Sequence, residues 1–466
     1  MILFINPKLV VQQHDTYTTG IVYMPVSLAF ICGALTESNL EFQLIDAFGE
    51  NPQNITQGDG TWSFGADVLE VLDNSDSIPS HIFIFANQAA NHNEILNSLR
   101  QLSKAYPSSR IYILENSQAV TAYSLAPLKE DFLSGGATGV ILGDPFTQSK
   151  YILNLFGYET FDPNNLTPDW DKFPLENYWR FKLSHGPQTS NRYLPILSSF
   201  GCPWACSFCV VPATNNRKWI TRKPEKVVAE ILHLKSKFGV HEFHFEDLNS
   251  TVSTSRIIEI AKLLIPLNIE WKIVAGTKAE TLNSYDTLQI LKTSGLNYFS
   301  FSPESGSKKI RKIIDKKFDV KHSLSLINWS RKLGINTQAC FILGMPDENI
   351  FDRFKTLNLI RVYSVLGISE VAIFIISPMP GSALFSKYEV SLGNISFSPT
   401  WRNDYKKLAF VRIYWYLNFL ILKSVFHPIQ MFKSIFRFFR RDFLLKMELA
   451  PFRSRQWKKW SRGLAI

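Results

Sequence analysis

The sequence predicts an α/β chain in three parts: an open parallel sheet, a second βα series that curls into a partial barrel, and a helical tail. Three observations carry this reading. Short apolar runs alternate with amphipathic stretches through the first 145 residues, the alternation restarts near residue 193 with six more strand-like runs, and the last segment is aromatic and basic at helical spacing. The expected boundaries are 1–148 for the first sheet, 149–192 for a linker, 193–390 for the barrel and 391–466 for the tail.

In the first part the strand-like runs are ILFIN (2–6), EFQLIDA (41–47), HIFIFA (81–86), RIYILE (110–115) and GVILGD (139–144), with PVSLAFICGAL (25–35) and EILNSLRQL (94–102) between them. Such βαβ units form parallel sheets whose loops leave a crevice at the strand ends. Residues 146–192, with FDPNNLTPDWDKFP at their centre, show little periodicity and read as a linker draped over its neighbours. The second series is YLPILSS (193–199), HEFHFED (241–247), WKIVAG (271–276), YFSFSPE (298–304), TQACFILG (337–344) and VAIFIIS (371–377), a count that suits a partial barrel.

With 45% hydrophobic and 19% charged residues over 466 positions, the chain has the balance of a folded protein with sizeable cores. MILFINPKLV lacks the marks of a secretory leader, and three of the five cysteines lie within eight residues, too close for a disulfide framework. A reducing, cytoplasmic setting is expected. The longest apolar stretch, 408–422, is broken by Arg412 and falls short of the ~20 residues of a spanning helix, so none is expected. The net charge of +10 is concentrated: residues 402–466 hold 15 Lys and Arg against Asp404, Asp442 and Glu448.

The segment GCPWACSFC (201–209) sets Cys202, Cys206 and Cys209 at C-x3-C-x2-C just past a predicted strand, where barrels place their chemistry. Three thiolates on one loop can hold three corners of a four-iron cubane and leave the fourth iron open, as catalytic metal sites keep an open position. Structural zinc wants a fourth ligand close by, and the first histidine after Cys209 is His233. Cys32 and Cys340 sit in apolar runs, where a free cysteine packs as a small hydrophobe.

With Phe208 before Cys209, the motif resembles the signature of the radical S-adenosylmethionine (SAM) superfamily. The resemblance implies a 4Fe-4S cluster on Cys202, Cys206 and Cys209, SAM chelated at the open iron, and reductive cleavage to a 5′-deoxyadenosyl radical. It also implies a reducing partner such as flavodoxin or ferredoxin. Phe208 would pack near the adenine, with plain core packing as the alternative.

The resemblance extends from residue 193 to about 385. HFEDLNST (244–251) is similar to the second-strand segment, where Asp247 or Glu246 would meet SAM or substrate; a helix N-cap is the other reading. FSPESGS (301–307) resembles the fourth-strand segment, implying that Glu304, with Ser305, binds polar groups of SAM and that Gly306 allows close backbone approach. FILGMPDE (341–348) resembles the segment against the adenine, with Gly344 giving room, unless it is simply a strand-end turn. SPMPGSALF (377–385) looks like the sixth-strand rim.

The stretch from Pro25 to Asp46 is similar to the cobalamin-binding class of the superfamily, which implies a Rossmann-like first domain presenting cobalamin to the barrel mouth. The chain departs from that class in three places. No D-x-H-x-x-G motif is present, Glu115 and Asn116 replace the usual Gly-Gly pair, and Gly143 with Asp144 keeps part of the turn after the fifth strand. A sheet that binds no cofactor and shapes the active site is the alternative.

In the tail, Phe432, Ile435, Phe436, Phe439 and Phe443 recur at helical spacing beside Lys433, Arg437, Arg440 and Arg441. This helix suits peripheral contact with an anionic membrane or a cap over the barrel. No nucleic-acid module accompanies the charge, so no nucleic-acid partner is expected. The implied activity is cobalamin-dependent methyl transfer to an unactivated carbon of a small or lipophilic substrate. The alternatives are a radical SAM cyclase or rearrangement enzyme without methyl transfer, and a non-catalytic iron–sulfur binding or regulatory protein.

Overall fold

The computed structural model describes residues 1–73, 78–159, 161–163, 166–388, 390 and 394–463. The first sheet holds five parallel strands, β1 (Ile2–Asn6), β2 (Gln43–Asp46), β3 (His81–Ala86), β4 (Arg110–Glu115) and β5 (Gly139–Ile141), in the spatial order β2-β1-β3-β4-β5. Loops leaving β1 and β3 turn to opposite faces, so a crevice opens at their carboxyl ends. Both faces are covered by helices, which is why β1 and β3 read as unbroken apolar runs.

Helix α1 (Val26–Glu37) is buried from Val26 through Leu35, and its partner across the face is α3 (Pro145–Leu155). On the other face lies α2 (His92–Ala105). Asp144 caps α3 by accepting from the Phe146 and Thr147 amides, with Pro145 at the first helical position. That cap carries the helix into residues 149–155, which the loop-like composition had assigned to the linker. The linker's aromatic part then binds the first sheet: Tyr178 Oη donates to Asp46 at 2.7 Å, and the Asp169 amide donates to the Ala29 carbonyl at 2.9 Å. A three-stranded antiparallel ribbon (Leu9–Gln12, Thr61–Phe64, Ile55–Gly58) was not expected from the periodicity.

The second sheet runs β6 (Tyr193–Ile196), β7 (Glu242–Phe245), β8 (Glu270–Thr277), β9 (Leu296–Glu304), β10 (Asn336–Leu343) and β11 (Glu370–Ile375), all parallel and in chain order. Its helices are α4 (Pro224–Phe238), α5 (Thr254–Leu264), α6 (Tyr285–Thr293), α7 (Val320–Leu333) and α8 (Ile350–Leu366). Strand alternation divides the roles: Phe243 and Phe245 join the apolar core under the helices, while Glu242 and His244 bond to each other. Cys340 belongs to this polar side, its Sγ 3.5 Å from Gln338 Oε1, which corrects its assignment as a core hydrophobe. Cys32 is fully buried in α1.

The floor of the barrel is polar and closed. Lys272 Nζ donates to Glu242 Oε1 at 2.6 Å and to the Pro187 carbonyl at 2.8 Å, while His244 Nε2 lies 2.8 Å from the same carboxylate oxygen. Burial alone would push Glu242 up, but Lys272 and His244 hold its carboxyl well below the usual range.

The tail comprises α9 (Tyr405–Phe426), α10 (Pro428–Arg440) and α11 (Lys446–Trp460). At 22 residues α9 is long and apolar enough to cross a membrane, by length and composition, where the sequence suggested a shorter run. It instead lies along the barrel. Leu408, Trp415 and Phe419 are buried, Tyr416 Oη accepts from the Ile373 amide, and Lys423 Nζ donates to the Ile368 carbonyl at 2.9 Å. The amino end of α11 enters the floor, where the Lys446 and Met447 amides donate to Glu370 at 3.1 and 2.6 Å. Its far end reaches the first domain, with Trp457 Nε1 donating to the Gly20 carbonyl at 3.0 Å. The expected 390/391 boundary borders residues 391–393, which lie outside the described residues.

Candidate active site

Beyond β6 the chain forms a short antiparallel hairpin, Ser199–Gly201 with Trp219–Thr221, and the three cysteines lie in the excursion between its strands. Gly201 has φ +76°, and a Cβ there would stand 2.3 Å from the Lys218 carbonyl oxygen, so only glycine lets the two strands close at this point. The Cys209 amide donates to the Cys206 carbonyl at 3.0 Å. The Ser207 amide donates to the Ile314 carbonyl at 3.1 Å, and the Ser207 carbonyl accepts from the Leu384 amide at 3.0 Å. Ile314 follows β9 and Leu384 follows β11, so these bonds hold the loop over the carboxyl ends of the strands.

The hairpin is anchored from below by Asp247. Its two oxygens take the Ser198 amide at 3.0 Å, the Ser198 hydroxyl at 2.7 Å and the Ser199 hydroxyl at 2.6 Å, and Arg256 donates to the Ser198 carbonyl at 2.6 Å. Asp247 thus spends three acceptor bonds on the stalk of the cysteine loop, and the N-cap of α5 is Ser253.

Glu304 closes β9 at φ +60° and pairs with Lys316, Nζ to Oε1 at 2.6 Å, with both side chains largely buried. Burial opposes the charge on Lys316, but the Glu304 carboxylate beside it raises the ammonium's pKa. Lys316 was missed from the sequence; its only local signal is a lysine twelve residues past a strand-end glutamate. Lys278, just past β8, sits 4.0 Å above the ring of half-exposed Trp204. Burial pushes the free thiols up, Cys202 to about 11 and Cys209 to about 12. Burial thus favours the neutral thiols, and a cationic cluster bound here would take the place of the protons.

Ser305 and Gly306 turn away from the loop. Ser305 Oγ meets Thr356 Oγ1 at 3.0 Å, the Gly306 amide donates to the same hydroxyl at 3.1 Å, and a Cβ on Gly306 would lie 2.3 Å from the Lys355 carbonyl oxygen. The close approach that Gly306 permits is to the backbone of α8. Gly344, at φ +83°, is covered by the tail: its carbonyl accepts from Arg402 at 3.1 Å, and a Cβ would stand 2.6 Å from Leu408 Cδ1. Phe208 packs against the apolar group of Ile310, Ile314, Ile342, Met345, Ile376 and Leu384 at the same rim.

Deeper in the barrel, Glu246 Oε2 accepts from His185 Nδ1 at 2.8 Å, and Lys446 Nζ donates to His185 Nε2 at 3.1 Å and to the Val274 carbonyl at 2.6 Å. Burial raises Glu246 to about 7. His185 comes from the linker and Lys446 from the tail, so no local motif could have joined them to Glu246.

Among the described residues, no three His, Cys, Asp or Glu side chains gather as the ligands of a single metal ion. Cubane thiolates each take a different iron, and the loop supplies three such thiols on one short arc.

The crevice of the first sheet is lined with amides. Asn6 donates to Asp46 at 2.7 Å, Asn87 to Asn6 at 3.1 Å, and Asn116 to the Asn87 carbonyl at 2.7 Å. Gln118 Nε2 then donates to Asn215 at 2.8 Å, and its Oε1 accepts from the Gly201 amide at 2.8 Å, which joins the crevice to the cysteine hairpin. Glu115 accepts from the Leu125 and Gly143 amides, each at 3.0 Å, and so ties the loops after β4 and β5 together. Asn6, Asn87, Asn116, Ser117 and Gln118 suit the amide-bearing rim of a corrin, and none of them is an imidazole that could ligate cobalt.

Residues 196–360 match the family model described as Radical SAM superfamily. The cytidylyl-2-hydroxyethylphosphonate methyltransferase of Streptomyces wedmorensis is 24% identical over 440 residues, covering 82% of this chain and 80% of its own. The anaerobic magnesium-protoporphyrin IX monomethyl ester cyclase of Cereibacter sphaeroides is 26% identical over 190 residues, 40% of this chain and 30% of that one. Among solved structures, the radical SAM methyltransferase TsrM of Kitasatospora setae, with cobalamin and a 4Fe-4S cluster bound, superposes with TM-score 0.61 at 12% identity, covering 83% of this chain and 74% of its own. The cobalamin-dependent radical enzyme OxsB gives 0.56 at 15%, covering 89% and 56%. The fold is shared with both. The stretch that matches the radical SAM model, 196–360, is the one that holds most of the half-barrel and its cysteine loop.

Proposed function

We propose that the chain is a cobalamin-dependent radical SAM methyltransferase. The observation that carries it is the cysteine loop sewn to the ends of β9 and β11, beside the Glu304–Lys316 pair and facing an amide-lined crevice. Cys202, Cys206 and Cys209 hold the cluster, and Glu304 offers its carboxylate to polar groups of SAM. Reduced, a cluster of this kind cleaves SAM to the 5′-deoxyadenosyl radical, and cobalamin supplies a transferable methyl group. Asn6, Asn87, Asn116, Ser117 and Gln118 would hold the corrin rim by exchanging amide bonds among themselves for amide bonds to the ligand. The reductant is a flavodoxin- or ferredoxin-like protein in a reducing compartment, and the acceptor is a small or lipophilic molecule with an unactivated carbon.

A second reading, with the first domain free of cofactor, is favoured by the closure of that amide network and by the tight seat of Ser124. The Ser124 amide donates to the Pro380 carbonyl at 3.0 Å, and a Cβ on Gly381 would lie 2.4 Å from Ser124 Cβ. Anoxic reconstitution with iron, sulfide and hydroxocobalamin separates the readings. The methyltransferase reading expects iron–sulfur and corrin absorbance retained after desalting, with release of 5′-deoxyadenosine on dithionite reduction in the presence of SAM. A cluster without retained corrin supports the second reading, and a reduced cluster that leaves SAM intact sinks both.

A further inference from the structure

We propose that the outward faces of α9 and α10 form a docking surface for an anionic lipid bilayer. α10 is oriented opposite to an ordinary surface helix, whose apolar stripe faces the core. Its polar Ser434 and Arg437 point inward and both donate to Glu448, at 2.5 Å and 2.9 Å. Its outward arc is Ile429, Phe432, Phe436 and Phe439, exposed by 70%, 72%, 53% and 77%. Phe443, expected on the same arc, lies beyond the helix end at Arg440 and is buried against Phe452, because Arg441 takes the left-handed conformation and reverses the chain.

The exposed stripe continues along α9. Leu408, Trp415 and Phe419 face the barrel, which leaves Phe410, Leu417, Ile421 and Val425 outward, exposed by 72%, 50%, 62% and 67%. Val425, Phe426 and Ile429, exposed by 67%, 52% and 70%, flank the His427 corner between the two helices. Patches of this extent mark an interface.

Charge selects the occupant. Lys406, Lys407, Lys433, Arg440 and Arg441 are exposed around the stripe, within a tail that carries 15 basic residues against three acidic ones. A second copy would bring two such tails together, like charge on like charge. An anionic bilayer accepts both components, phenylalanines at the headgroup boundary and lysines and arginines at the phosphates.

The test is sedimentation of the full chain with vesicles of phosphatidylcholine alone or mixed equally with phosphatidylglycerol. Binding to the mixed vesicles is expected, weakening as salt is raised. The triple substitution Phe432→Asp, Phe436→Asp, Phe439→Asp should lower the bound fraction about tenfold with no fall in melting temperature. Lys433→Glu with Arg440→Glu should erase the preference for the anionic vesicles. Equal binding by the triple variant, or no binding by the parent chain, overturns the proposal. Lipid-free self-association that the triple substitution abolishes, without vesicle binding, assigns the face to a second copy and overturns it as well.

Discussion

At the amino-terminal end of the barrel, Glu242 bonds both Lys272 and His244, and Glu370 takes the first two amides of α11. At the carboxyl-terminal end, Cys202, Trp204 and Cys206, on a loop held mainly by backbone bonds, remain partly open to solvent, as does Lys278 just past β8. The same fold thus uses buried charge for two purposes. The floor spends its polar groups on closure, and the mouth keeps thiols and an aromatic–cation pair in reserve, as expected where barrels segregate stability from chemistry.

The largest effect that separates the ends is chemical. Cys206→Ala should abolish the cluster altogether, read as loss of iron and of visible absorbance after anoxic reconstitution, while the apo chain melts where the parent does. A fully loaded cluster in that variant would remove the mouth from the chemistry. At the floor, Lys272→Met leaves the buried Glu242 carboxylate without a cation, held only by His244, Thr189 and the Ser190 amide, and should cost about 3–5 kcal/mol in urea unfolding. A loss under ~1 kcal/mol would mean that water or rearrangement meets the charge and that the floor is less closed than its geometry implies.

Asp247→Asn lies between the two regimes. It removes acceptor capacity beneath the hairpin stalk, so a stability loss of about 1 kcal/mol should come with a disproportionate, few-fold fall in cluster retention on desalting. Equal effects on both would make Asp247 a plain core residue. The smallest effect concerns Glu246, raised by burial from 4.5 to about 7. Because the folded value lies above the unfolded one, this group's contribution is complete below the unfolded value and is lost as pH rises through about 7. Melting temperature followed between about pH 5 and 8 should therefore fall less steeply for Glu246→Gln than for the parent, and parallel slopes would show that Glu246 titrates normally.

Local patterns carried most of the architecture. ILFIN, HIFIFA and RIYILE match β1, β3 and β4 residue for residue, because strands covered on both faces must be apolar throughout. The cysteine loop was legible for a similar reason, since its three thiols lie within eight residues. The structural partners of Asp247 and Gly306, Ser198 and Lys355, were not legible because they lie about 50 residues away and nothing local marks which way the side chain or the missing Cβ points. Phe443 was misread because helical spacing does not reveal that the helix has ended.

The sequence by itself determined the fold class and the closely spaced thiols of the segment that matches the radical SAM model, all properties of short segments with a periodic or spaced signature. Tertiary structure alone decided that Lys316 meets Glu304, that His185 and Lys446 converge on Glu246, and that α10 turns its phenylalanines outward. Each depends on contacts between distant segments, whose packing places charge beside charge and selects the face of a helix left to the solvent.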